Sequence, residues 1–202
     1  FSPANKGKIV VLSELRDTIG IILLAQGADP ATVTEDQYMN AVDFMAGKIS
    51  DGWIRGVKGN EYAEDLTSGD ATAVIGWSGD MFILASENEG KFDFAIPESG
   101  GTISGDNMLI PSTATPEAKA SAEKLINWYY DPAIAAEVAA YVNYVTPVKG
   151  AQAEMEKIDP ELAKSPFIFP DDATLAKVRV FRTLTVDEET KYSEAFQAAA
   201  GN

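Results

Sequence analysis

The sequence predicts an α/β fold, and three observations predict it. Short β-branched apolar runs, KIVVL at 8–12 and TAVIG at 72–76, have the length and composition of buried strands. Stretches of helical length with one apolar face lie between and after them. Ser, Thr or Asp followed by acids or proline opens those stretches, which is the chemistry of helix N-termini. In order, residues 8–12 form a strand, Ser13 caps a helix with Glu14 and Asp17 in its first turn, and Gly27 ends it after about residue 26. Thr34 or Glu35 starts an amphipathic helix through Tyr38, Ala41, Val42 and Met45 to about residue 48. A short strand at 53–57, a helix at 60–66 closed by Ser68 and Gly69, and a buried strand at 72–76 follow. Residues 79–87 return as helix, and 92–96 and 107–110 read as strands, the last stopped by Pro111. Thr115 with Pro116, and Asp131 with Pro132, each open a helix, so that 115–130 and 131–142 are joined with almost no loop. Residues 143–147 are irregular, 149–170 carry small helices over a surface, and 187–199 form a final helix.

Composition narrows the function classes. The chain has 202 residues, 46% of them hydrophobic and 23% charged, which suits a protein with a proper buried core. Its longest apolar run, 19–25, is far below transmembrane length. The opening FSPANKGKIVVL starts like the middle of a fold, so any export signal or upstream domain is expected outside this sequence. A formal net charge of -15 opposes nucleic acid and suits a cationic ligand. There is no cysteine, hence no disulfide and no thiolate chemistry, and no histidine, which removes the usual serine triad and most zinc sites. No cofactor is expected.

Several side chains have the chemistry and placement to bind. Glu14 and Asp17 share one face of a helical first turn directly after a buried strand, where compensation of the helix dipole would also favour acids. Trp77 follows the strand TAVIG at its carboxyl end, the ligand side of an open α/β sheet, where an indole can cover an alkyl chain or hold a cation. Trp53 has a more ordinary setting, and Trp128 lies in a helix and reads as packing. Asp106 stands between a glycine-rich approach, GGTISG, and the apolar run at 108–110. Tyr144 is an aromatic on irregular backbone, competing with Tyr141 for a ligand contact, and Arg182 is either a structural ion-pair partner or a binding residue. Glu14 and Asp17 would also serve an acid/base hydrolase, although they sit within one helical turn.

With Glu14, Asp17, Trp77, Asp106 and Tyr144 in this order, the sequence resembles the C-terminal part of the spermidine/putrescine-binding proteins of ABC transporters, a periplasmic-binding-protein family. The stretches LRDTIGIILLAQG, GDATAVIGWSGD, PESGGTISGDNMLIP and AEKLINWYYDPAIAAEVAAYVNYVTP carry the resemblance over nearly the whole chain. It implies two α/β lobes that close on a ligand like a clamp. It implies that Glu14, Asp17 and Asp106 receive ligand amines, that Trp77 and Tyr144 stack along the methylene chain, and that Gly59 or Asn60 in KGNEY adds a polar contact. The protein would work in the periplasm or on the outer face of the cytoplasmic membrane, with a lipid anchor as an option, and present its ligand to an ABC permease.

Two departures from that family stand out. Ser104 occupies a position that carries an aromatic in the family, and Arg182 one that carries a polar amide. An Arg182 facing the cleft would suit a carboxylate, so that an ω-amino acid such as 4-aminobutyrate is the alternative ligand. The resemblance also implies that residues 1–104 and 152–202 form the second lobe. Residues 105–151 would belong to a first lobe whose N-terminal part is absent from the sequence. Apolar surface exposed on that segment would be covered by the missing part or by a swapped dimer.

Overall fold

The computed structural model describes residues 2–88 and 90–201. The chain folds as α/β and divides into two compact units. The first comprises Phe1–Trp77, Phe94–Ser104 and Lys177–Asn202, the second Ser78–Asp93 and Gly105–Ala176. Residues 78–93 and 152–176 fall in the second unit. The reason is packing. The helix α7 (Ala151–Ile158) buries Ala151 and Met155 in one core with Ala135, Ala136 and Ala139 of the helix α6 (Pro132–Val142).

In the first unit three parallel strands form a sheet in the order β2, β1, β3: β1 is Ile9–Leu12, β2 Ile54–Lys58 and β3 Ala73–Val74. Leu12 pairs with Lys58 and Val10 with Val74, so all three strands present their carboxyl ends at one edge. The helix α1 (Leu15–Ala25) follows β1, and the buried Thr18 hydroxyl donates to the Leu12 carbonyl at 2.7 Å, fixing the strand-to-helix turn. The expected cap Ser13 is one residue early. Glu14 occupies the N-cap on extended backbone without a side-chain capping bond, and Ser13 still belongs to the sheet, its N–H donating to the Lys58 carbonyl at 2.8 Å.

The helix α2 (Glu35–Ser50) opens on a capping box in which Thr34 and Gln37 satisfy each other's backbone N–H groups. The C-terminal helix, Val186–Ala200, opens on the same device with Thr185 and Glu188. These two helices lock through aromatic rings. Tyr38 and Tyr192 are fully buried and stacked with centroids 3.9 Å apart, and the Tyr38 hydroxyl donates to the Tyr192 carbonyl at 3.0 Å. Val11, Ile19, Leu23, Met45 and Phe196 complete this core.

Between β2 and β3 the first unit carries α3 (Tyr62–Ser68), and the second unit contains α4 (Ser78–Glu87), α5 (Pro116–Tyr129), α6 and α7. Thr115 and Asp131 cap α5 and α6 through side-chain oxygens, each with proline in the first turn. Two expected strands are not formed: residues 92–96 and 107–110 run as irregular backbone. An apolar run becomes a strand only where a neighbour completes its ladder, and no strand among the described residues pairs with either segment. Met108 and Leu109 are exposed, as are Leu125, Trp128, Tyr130 and Tyr141 in the same unit. Conversely, the two-residue parallel pair of β4 (Gly101–Thr102) with β5 (Val178–Arg179) in the first unit has no sequence signal of its own. No helix among the described residues is long and apolar enough to cross a membrane.

Candidate functional site

The carboxyl edge of the three-stranded sheet gathers most of the residues singled out in the first unit. β1 delivers Glu14 and Asp17, β2 delivers Gly59 and Asn60, and β3 leads to Trp77. Glu14 and Asn60 are exposed, while Asp17 and Trp77 are half-buried. Asp17 and Trp77 are directly joined, the indole Nε1–H donating to Asp17 Oδ2 at 3.2 Å. The other carboxylate oxygen, Oδ1, accepts from the Thr102 hydroxyl at 3.4 Å. The backbone N–H of Trp77 donates to the Tyr62 phenol oxygen at 3.2 Å, and the two rings meet edge to face at 6.1 Å. A carboxylate held at the edge of an indole is a suitable receptor for an alkylammonium, the acid taking the charge and the ring face free to cover the methylenes.

Tyr62 and Thr102 escaped the sequence reading. Tyr62 ends the KGNEY segment and its aromatic character was the available signal, whereas Thr102 has none short of the fold. Gly59 sits between acidic and hydroxyl groups: a Cβ there would lie 3.3 Å from Glu61 Oε2 and 3.9 Å from Ser13 Oγ.

A second acid and aromatic pair lies within the second unit. Helix α6 ends on Asn143 with φ of 58°, a left-handed cap that turns the chain into Tyr144. The Tyr144 hydroxyl donates to Asp80 Oδ1 at 2.8 Å, and its ring lies flat against Gly79, where a Cβ would come within 2.4 Å of the ring. Asp80 was missed by the sequence reading, although its place three residues after Trp77 could have found it. Gly79→Ala is expected to displace the Tyr144 ring and cost about 1–3 kcal/mol of stability, the range for overpacking a filled site. Thermal denaturation of the variant checks this. Asp106 is exposed on irregular backbone in the same unit.

Arg182 turns to an acid of its own neighbourhood. Its guanidinium donates to both carboxylate oxygens of Glu188, at 2.6 and 3.1 Å, and its Nε–H to the Val33 carbonyl at 2.7 Å. Glu188 also receives the Thr185 backbone N–H at 2.8 Å. Through the Arg182 hydrogen bonds first, and then that N–H, the Glu188 carboxyl is lowered from 4.5 to about 2. A depressed acid contributes stability that is complete above its unfolded value and is lost as pH falls through its folded value. Glu188→Gln is therefore expected to flatten the acid limb of the stability curve between pH 4.5 and 2 and leave its slope near neutrality unchanged, read by denaturant titration at stepped pH.

Among the described residues there is no group of three or more Asp, Glu, His or Cys that could hold a metal ion.

The chain belongs to the bacterial extracellular solute-binding protein family, whose model matches residues 1–170. It is 25% identical over 167 residues to the putrescine-binding periplasmic protein PotF of Escherichia coli, a match covering 80% of this chain and 44% of that one. It is 26% identical over 194 residues to the putrescine/cadaverine-binding protein of Pseudomonas aeruginosa, covering 91% of this chain and 52% of the relative. The solved structure of a putative spermidine/putrescine ABC transporter protein from Listeria monocytogenes superposes with a TM-score of 0.83 at 27% identity, covering 98% of this chain and 59% of that one. The chain thus spans about half the length of the curated relatives it matches.

Proposed function

We propose that this chain carries the ligand-recognition residues of a non-catalytic solute-binding protein of an ABC importer, working outside the cytoplasmic membrane and binding a small polyamine such as putrescine. The observation that carries the reading is the joined Asp17 and Trp77 at the carboxyl ends of the sheet strands. The Asp80 and Tyr144 pair of the second unit supports it with the same chemistry. In the first unit Glu14 and Asp17 supply carboxylates for ammonium groups, Trp77 covers methylenes and Gly59 or Asn60 adds a polar contact; in the second unit Asp106 and Tyr144 offer the same carboxylate and aromatic chemistry. The net charge of -15 favours a cation, and putrescine is in the names of both of these relatives. Nothing favours an ω-amino acid held by Arg182, whose guanidinium already has the Glu188 carboxylate. Isothermal titration with putrescine, cadaverine, spermidine and 4-aminobutyrate tests the reading. Saturable binding of a diamine or triamine without turnover supports it, and preference for 4-aminobutyrate overturns it.

A further inference from the structure

Asp17 does two jobs, and the second depends on a residue that no ligand need touch. Thr102 is held by backbone on both sides: the Gly101 N–H donates to the Lys177 carbonyl and the Ile103 N–H to the Arg179 carbonyl, both at 3.0 Å. Its γ-methyl presses on α1 where Gly20 has no side chain, since a Cβ at Gly20 would lie 2.5 Å from Thr102 Cγ2. A β-branched side chain with its methyl seated has little freedom about χ1, and its hydroxyl is thereby aimed at Asp17 Oδ1. The carboxylate so oriented presents Oδ2 to the Trp77 indole N–H.

We propose that Thr102 is a positioning residue for the amine site: wedged on Gly20, it orients the Asp17 carboxylate and through it fixes the plane of the Trp77 ring before ligand arrives. The proposal deepens the amine-binding reading and rests on it for its effect on affinity, although the lock itself does not. A preset indole binds its ligand without the ordering cost of a mobile one. Serine at this position keeps the donor and loses the wedge, whereas valine keeps the branched shape and loses the donor.

The test labels the protein with 5-fluorotryptophan, giving one 19F resonance for each of the three tryptophans, with Trp77 assigned by its disappearance in Trp77→Phe. In ligand-free protein Thr102→Val is expected to shift or broaden the Trp77 resonance and leave those of Trp53 and Trp128 in place, while Thr102→Ser restores it toward wild type. Putrescine affinity should fall roughly fivefold in Thr102→Val, the size of one hydrogen bond, and stay within about twofold of wild type in Thr102→Ser. An unmoved Trp77 resonance in Thr102→Val overturns the proposal. Should that variant fail to fold by circular dichroism, Asp17→Asn takes its place. It is expected to move the same resonance, and a resonance it leaves unmoved overturns the lock. The resonances are read without amine, so absence of putrescine binding in wild type removes the amine reading and still leaves the lock to be judged.

Discussion

Tyr192→Ala is expected to lower the stability of the first unit by about 3–5 kcal/mol, the cost of deleting a fully buried aromatic ring from a packed core. The ring stacks on Tyr38 with an interplanar angle of 10°, and Phe181 meets Tyr38 edge-on at 6.5 Å, so its removal leaves a cavity against Tyr38 in an aromatic part of the core. Two ion pairs of the same helix, Arg16 with Glu189 and Lys191 with Glu35, lie on the surface and offset little of that loss. Chemical denaturation checks the value, and Tyr192→Phe, which keeps the stack, should stay within about 1 kcal/mol of wild type. Equal losses in the two variants would mean that the ring stack is not what fastens the last helix.

Trp77→Ala is expected to weaken putrescine binding by about 30-fold or more, the threshold for a residue that dominates a binding site. On the proposed reading the indole would cover the ligand's methylenes, and it is the donor to Asp17 Oδ2, so truncation removes that wall and leaves Oδ2 without the indole N–H. Trp53→Ala is the control. Its ring lies under Lys6 and Lys48 at the opposite, amino-terminal end of β2, and its loss should leave affinity unchanged. Comparable losses in both variants would point to general destabilisation.

What the sequence made legible is what local chemistry decides. The caps Thr34, Thr115 and Asp131, the prolines behind the last two, and the β-branched run that became β1 all act within a few residues of themselves. The runs at 92–96 and 107–110 have the same apolar character as a strand, but strand formation depends on a partner elsewhere, which periodicity does not reveal. Site legibility follows the same division. Asp17 and Trp77 announce themselves by residue type and by position at strand ends, and sequence alone could not show that they are joined to each other. Thr102 is ordinary until Gly20 and Asp17 are brought around it. Sequence alone leaves Arg182 between two roles because its partner Glu188 stands six residues away, inside a helix cap that looks complete without it.

The path of the backbone constrains how such a protein can be altered by recombination. The chain passes between its two units four times, after Trp77, Asp93, Ser104 and Ala176. Trading the second unit for that of a relative would therefore require two separate inserts and four splice points in one gene, and a single crossover anywhere would leave at least one unit a hybrid. Change by point substitution crosses no such junction and is the easier route to altered binding.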